Sequence, residues 1–245
     1  MKNKFINICI LPFIWSIYTI FELFSGRISN IHTLVFNIFL VFLFFLVNIF
    51  IYTVDKKYPI GITKSNNIIL LIIILLGLDQ GIKLIIKLFY FNSFFPLIDK
   101  ALYFSPIINT NGSWLNARFG TSLSFTFLII INLIAIFLFT EIYRYYHHNG
   151  NKSFSSDMAY IFILSGAICS LIDKFFYGGS LDFIGVNNLF VADIKDIYIN
   201  IGIVFFIMTL LNENYLSDDT DSTIKDDLNS LIKFIKFIRN DIFKK

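Results

Sequence analysis

Long apolar runs alternate with polar breaks along this chain, and six of the runs approach the ~20 residues that a helix needs to cross a bilayer. They cover residues 5–24, 31–54, 67–84, 122–143, 158–175 and 196–211. The pattern predicts an all-α polytopic membrane protein of about six transmembrane helices. The fifth and sixth runs are short, and both carry acids. Two longer breaks, 85–121 and 176–195, fall on the same side of alternating spans. They are long enough for a small extracytoplasmic layer, with room for short β-strands. Beyond the last run, 212–222 is polar and acidic. Then Ile224, Leu228, Leu231, Ile232, Ile235, Ile238 and Ile242 recur at spacings of three and four, with Lys233, Lys236 and Arg239 between them. That periodicity predicts an amphipathic helix on the inner membrane surface, the alternative being a solvated, partner-binding helix.

Composition sharpens this picture. With 56% hydrophobic residues, 31 phenylalanines and a mean hydropathy of +0.73, the chain departs from the usage of soluble domains. Cys9 and Cys169 both fall in apolar runs, which offers neither a disulfide framework nor a thiolate metal cluster. A net charge of +3 is too small to indicate nucleic acid. Its distribution bears on topology: Lys2, Lys4, Lys56, Lys57, Lys64, Arg144, Lys152 and the basic tail share one side if both termini are cytoplasmic. Arg27, Lys100, Arg118 and Lys195 remain outside. The first run follows a basic start, as in a signal peptide, but no small-x-small site follows it before Gly26, so it is read as a retained helix.

The candidate chemistry lies in three aspartates. A carboxylate inside an apolar span costs at least a few kcal/mol by insertion scales, which makes each one a candidate functional residue. Asp79 lies ~18 Å along a third span entering from inside, Asp173 is about as deep in the fifth, and Asp196 opens the sixth running back. All three therefore converge near the outer leaflet. Paired carboxyls in one site tend to share a proton, and such a pair can act as general base and general acid on a water. Structural roles are open beside this one: Asp196 with Asp193 as a helix N-cap, Asp173 as partner to a lysine such as Lys195, and Asp79 paired with Lys83 one turn on. A transporter would instead need ionisable groups at the midplane or distributed through the membrane.

Four ordered segments resemble the lipoprotein signal peptidase family, signal peptidase II, a group of intramembrane aspartic peptidases. Leu78-Asp79-Gln80-Gly81-Ile82-Lys83 is similar to its first box, and Gly166-Ala167 through Asp173-Lys174 to its Gly-Ala-x-Gly-Asn-x-x-Asp-Arg box. Gly179-Ser180-Leu181-Asp182-Phe183-Ile184 resembles Gly-x-Val-x-Asp-Phe-Ile, and residues 192–202 resemble Phe-Asn-x-Ala-Asp-x-x-Ile-x-x-Gly. Asn109-Thr110-Asn111-Gly112 is a looser counterpart of an Asn-x-Gly box, with either asparagine eligible. The departures are Cys169-Ser170 for Gly-Asn, Lys174 for arginine, Asp193 for asparagine and Lys195 for alanine.

The resemblance implies catalysis by Asp173 and Asp196, supported by Asp79, Lys83, Asn109, Asn111, Gly112, Ser170, Lys174, Asp182 and Asp193. It implies no metal or cofactor. The expected reaction is removal of signal peptides from diacylglyceryl-modified prolipoproteins before the lipid-modified cysteine, at the outer face of the bacterial cytoplasmic membrane, with membrane lipid as surroundings and no nucleic acid partner. Residues 65–212 then form a four-helix catalytic domain, 1–64 add two N-terminal spans to the family's usual four, and 213–245 form a cytoplasmic tail with the amphipathic helix. The alternative is a divergent relative that binds lipidated peptides without hydrolysis.

Overall fold

The computed structural model describes residues 2–62, 64–112, 114–121, 123–213 and 224–243. Its elements in chain order are α1 (Lys2–Phe24), α2 (Ile31–Lys57), α3 (Ser65–Ile85), β1 (Phe95–Ile98), β2 (Leu102–Asn109), α4 (Trp114–Phe119), α5 (Phe125–His148), α6 (Phe154–Phe176), β3 (Ser180–Val186), β4 (Phe190–Ala192), α7 (Ile194–Asn212) and α8 (Ile224–Phe243). Among the described residues, six helices are long and apolar enough to cross a membrane: Lys4–Phe24, Ile31–Lys57, Ser65–Tyr90, Phe125–His148, Phe154–Phe176 and Ile194–Asn212. Many of their large apolar side chains, among them Phe13, Phe50, Ile73, Leu133 and Ile134, face outward. This is the inverse of a soluble protein and suits a lipid solvent.

Local chemistry sets the helix ends. Asn30, Ser124 and Ser153 each accept a bond from the backbone N–H three residues on, capping α2, α5 and α6. The fifth span is consequently longer than its apolar run: α6 starts at Phe154, and the polar Ser155, Ser156 and Asp157 that hide its first turn in the sequence are all buried. Asp157 earns that burial by accepting from Tyr143 Oη at 2.8 Å and from the Ile62 amide at 2.6 Å. The third span also outruns its expected end, continuing through a π-helical turn over Ile86–Tyr90. Residue 122, the expected start of the fourth span, and 214–222 of the acidic stretch lie outside the described residues.

The spans pack through small residues and interhelical polar contacts, as expected where lipid removes any hydrophobic drive between helices. A Cβ added to Gly166 of α6 would meet Ile199 Cγ1 at 2.6 Å, and one added to Gly202 of α7 would meet Ile163 Cγ1 at 2.6 Å and Ile163 N at 3.0 Å. Two glycines thus let α6 and α7 approach closely. Gly202→Val is expected to push them apart at a cost of about 1–3 kcal/mol, read as a lower unfolding temperature in detergent. Buried Ile10, Leu11, Ile51, Ala159, Val204, Phe205 and Met208 join α1 and α2 to α6 and α7. Asn7 of α1 donates to Asn212 Oδ1 of α7 at 2.9 Å, and Tyr198 Oη of α7 donates to the Leu75 carbonyl of α3 at 3.2 Å.

The outer layer is an antiparallel sheet in the order β1-β2-β3-β4. Leu102 pairs with Val186, Phe104 with Ile184, Ile107 with Asp182 and Asn109 with Ser180, with a register shift between Phe104 and Ile107 where Pro106 has no N–H to contribute. Leu181 and Phe183 point into a small core with Ile86, and strand alternation then turns Ser180 and Asp182 the other way, toward the end of α6.

Candidate functional site

The end of α6, the start of α7, the last two turns of α3 and the β3 strand bring their charged side chains into one buried cluster. Lys83 is its hub. It is fully buried, with Nζ 2.9 Å from Asp79 Oδ2, 2.7 Å from Asp173 Oδ2 and 2.6 Å from Asp193 Oδ2. Asp79 and Lys83 meet because residues four apart share a helix face. Gln80 donates to Asp79 Oδ2 at 2.9 Å and to Asp173 Oδ1 at 3.3 Å.

Lys195 is a second ammonium in the same cluster, 2.5 Å from Asp193 Oδ2, 3.2 Å from Asp173 Oδ2 and 3.8 Å from Asp182 Oδ1. It also donates to Ser180 Oγ. The Ser180 hydroxyl lies 2.6 Å from Asp182 Oδ1 and 3.2 Å from both Asp173 Oδ2 and Asp193 Oδ2. On the far side of Asp182, Asn109 Nδ2 donates to Oδ2 at 2.8 Å.

Asp196 enters this cluster through a capping box. The Asp193 N–H donates to Asp196 Oδ2 at 3.1 Å, and the Asp196 N–H donates to Asp193 Oδ1 at 3.3 Å. Carboxylates suit the N-terminus of α7, whose dipole and unpaired amides favour negative charge. Carboxyl oxygens of Asp182, Asp193 and Asp196 lie within 4.8 Å of one another. Asp193 is therefore the link between the two ends: one oxygen faces the Lys83 and Lys195 charges beside Asp173, the other braces Asp196.

Outside the spans, two carboxyls shift in opposite directions. Burial pushes Asp182 above the ordinary carboxylate range and the Asp193 charge adds to this, against Lys195, Ser180 and Asn109. Burial acts upward on Asp193 as well, but the ammoniums of Lys195 and Lys83 outweigh it and hold Asp193 below that range. A lowered folded pKa gives stability that is present above the unfolded value of ~3.9 and is lost as pH falls through the folded value. The stability difference between the parent chain and Asp193→Asn is therefore expected to shrink as detergent unfolding is taken from pH 6 downward through that window.

Lys174 and Asn111, which the sequence singles out, bond outside the five acids. Lys174 Nζ turns back along its own helix to Ser170 Oγ at 2.6 Å. Asn111 lies at an exposed turn, its N–H donating to Asn109 Oδ1 at 3.1 Å. Gly112 has φ +69°, a conformation that suits glycine, and a Cβ there would meet Leu128 Cδ1 at 2.9 Å. Conversely, Gln80, Ser180 and Lys195 belong to the cluster although the sequence does not mark them as site residues. Ser180 was accessible from its two-residue offset to Asp182 on a strand.

Asp193 and Lys195 form a charge-balanced pair, and each is buried. Removing one partner of a buried pair is far costlier than removing both. Asp193→Asn and Lys195→Ala are each expected to lower stability by about 3 kcal/mol. The double variant should recover at least half of the summed loss in a double-mutant cycle read by thermal unfolding.

Six apolar spans with a buried acid–lysine cluster beneath a small sheet define a polytopic membrane protein with a polar site at one end. The profile of the Signal peptidase (SPase) II family matches residues 71–212, and the chain belongs to that family. Similar proteins include lipoprotein signal peptidases of Microcystis aeruginosa, 29% identical over 119 residues (47% of this chain, 71% of that protein), and of Rickettsia africae, 28% identical over 160 residues (62% and 75%). The lipoprotein signal peptidase of Wigglesworthia glossinidia brevipalpis is 29% identical over 149 residues (59% and 92%). Among solved structures, two described as a bacterial membrane enzyme share the fold. One has a TM-score of 0.52 at 22% identity, covering 68% of this chain and 99% of that one; the other has 0.51 at 23%, covering 63% and 97%. The family match begins inside α3, so α1 and α2 lie outside it. Family membership and the six apolar helices make this a multi-pass bacterial inner-membrane protein of a protease family.

Proposed function

We propose that the chain is an aspartic endopeptidase that removes signal peptides from diacylglyceryl-modified prolipoproteins at the bond before the lipid-modified cysteine. The observation that carries this reading is the cluster itself: five carboxyls, Asp79, Asp173, Asp182, Asp193 and Asp196, gathered around the ammoniums of Lys83 and Lys195. Carboxyls that outnumber nearby cations in a dry site favour retention of a proton within the group, the state that general acid and base catalysis requires. In the proposed reaction Asp173 and Asp196 act on one water. The ionised partner takes a proton as the oxygen attacks the scissile carbonyl, and the protonated partner donates to the carbonyl oxygen. As the C–N bond breaks, a proton passes to the cysteine nitrogen, leaving a free amine and a free carboxyl. Lys83 and Gln80 orient Asp173, the capping box orients Asp196, and Ser180, with Asp182 and Asn109 behind it, ties Asp173 and Asp193 to the sheet.

The charge distribution supports cytoplasmic termini and a site near the outer leaflet, where the aromatic outer layer would cover the substrate's lipid. We place α8 on the inner surface: Leu228, Leu231, Ile235 and Ile242 are exposed, while Phe237 packs on Tyr145 and His148 at the end of α5 and Arg144 pairs with Asp241.

One observation favours a second reading. The Lys195 ammonium, 3.2 Å from Asp173, stands where the family resemblance has alanine. A carboxylate tied to two lysines suits a lipopeptide-binding relative that does not hydrolyse. Purified protein in liposomes with a diacylglyceryl prolipoprotein peptide separates the two: a mass-spectrometric product ending at the residue before the modified cysteine supports the peptidase, whereas saturable binding without product supports the binder.

A further inference from the structure

Glu22, in the last turn of α1, is fully buried. A lone carboxylate there is costly, and its partners come from two separate parts of the outer layer. Its Oε1 lies 3.3 Å from Arg27 Nη1 and its Oε2 lies 3.5 Å from Arg118 Nη2, with Ser25 Oγ donating to Oε2 at 3.1 Å. Each arginine leads toward the acid cluster.

Arg118 sits on α4, with its guanidinium over the rings of Phe21 and Phe119. In the same helix Asn116 donates to the Asn111 carbonyl at 2.7 Å, holding the turn whose Asn109 donates to Asp182. Arg27 donates to the Asn188 carbonyl at 2.9 Å and to that of Leu189, gripping the turn between β3 and β4. That turn connects the strand carrying Asp182 to the one that runs into Asp193 and Asp196. It is held from α2 as well: buried Asn37 donates to Asn187 Oδ1 at 3.5 Å, and Asn187, at φ +48°, donates to the Lys100 carbonyl at 2.9 Å.

We propose that Glu22 is a positioning residue, and that α1 and α2, which lie outside the family-matched region, fasten both arms of the outer layer, α4 and the β3–β4 turn, over the acid cluster. This rests on the peptidase reading for its kinetic consequence but not for its structural one. Buried charge pairs fix geometry, and a displacement of about 1 Å at a reacting centre costs on the order of a hundredfold in rate. Without the Glu22 charge, both arginines lose their common anchor, and the two arms move independently of the spans.

The test is Glu22→Gln in the full-length chain, with Arg144→Gln, an inner-end substitution remote from the cluster, as control. Hydrogen exchange followed by mass spectrometry is expected to show faster exchange over 114–119 and 187–192 with α6 and α7 unchanged. With the lipidated peptide, kcat/KM should fall about tenfold to a hundredfold, mostly through kcat, while the unfolding temperature stays near that of the parent. Arg118→Gln should reproduce the effect over 114–119, and the double variant should be little worse than Glu22→Gln alone. Parental exchange and kinetics in Glu22→Gln would overturn the proposal. So would faster exchange spread evenly over all spans with a matching fall in unfolding temperature, which would make Glu22 a general stabilising residue. If the parent itself does not cleave, the peptidase reading fails, and the exchange result alone decides the role of Glu22.

Discussion

Asp173→Asn and Asp196→Asn are each expected to reduce cleavage of a lipidated prolipoprotein peptide by at least about a thousandfold, because each removes one of the two proton-transfer groups that the proposed reaction needs. Asparagine keeps the size of the side chain and cannot gain or lose a proton in this role. The structural effects should differ. Asp173 contacts Lys83, Lys195, Gln80 and Ser180, so its neutralisation leaves Lys83 with Asp79 and Asp193 and leaves Lys195 with Asp193 and Asp182. The cluster remains charge-compensated, and folding should survive. Asp196→Asn keeps an oxygen to accept the Asp193 N–H, so the cap on α7 is also expected to hold. Thermal unfolding beside the cleavage assay reads this separation directly. Comparable cleavage by either variant would remove the dyad from the mechanism, whatever the fate of the family's general chemistry.

The largest stability effect is expected at Lys83. Lys83→Met keeps much of the side chain's length and apolar stem but strips the one ammonium that touches Asp79, Asp173 and Asp193 together. Three buried carboxylates then face one another with Lys195 as a counter-charge to two of them, and among the described residues Asp79 has none. Breaking a buried pair by removal of one partner costs about 3–5 kcal/mol, and a three-way hub belongs at the upper end of that range. The expected result is a strongly lowered unfolding temperature in detergent and new proteolytic sensitivity where α3 meets α6. A double variant, Lys83→Met with Asp79→Asn, should recover part of the loss, since it removes the acid that has no other cation.

Parts of this arrangement are legible in the residues. The Asp79–Lys83 pair follows from helical spacing, and the Asp193–Asp196 cap from two acids three apart before an apolar run. The spans follow from run length except where polar residues are satisfied by distant partners. Ser155, Ser156 and Asp157 look like loop, yet Asp157 is buried against the Ile62 amide and Tyr143, which no local pattern reveals. The joining of Lys83 to Asp173 and Asp193 is likewise tertiary, with Lys83 and Asp173 90 positions apart in the chain. Lys195 was visible as a departure from the family pattern, but its contacts depend on β3 folding back over α6. The sheet could be expected only as short strands in outer breaks, because the pairing of β2 with β3 joins segments on opposite sides of two spans in the chain.

That pairing also sets an order of assembly. β2 belongs to the segment after the third span and β3 to the segment after the fifth, so their ladder cannot close until α5 and α6 have both been inserted. Contacts of such wide sequence separation form late, after loop-closure entropy has been met by local structure. Asp196 emerges later still, with α7. A growing chain therefore carries an open, incomplete acid cluster until α7 is inserted, and any chemistry that needs Asp196 is withheld until then.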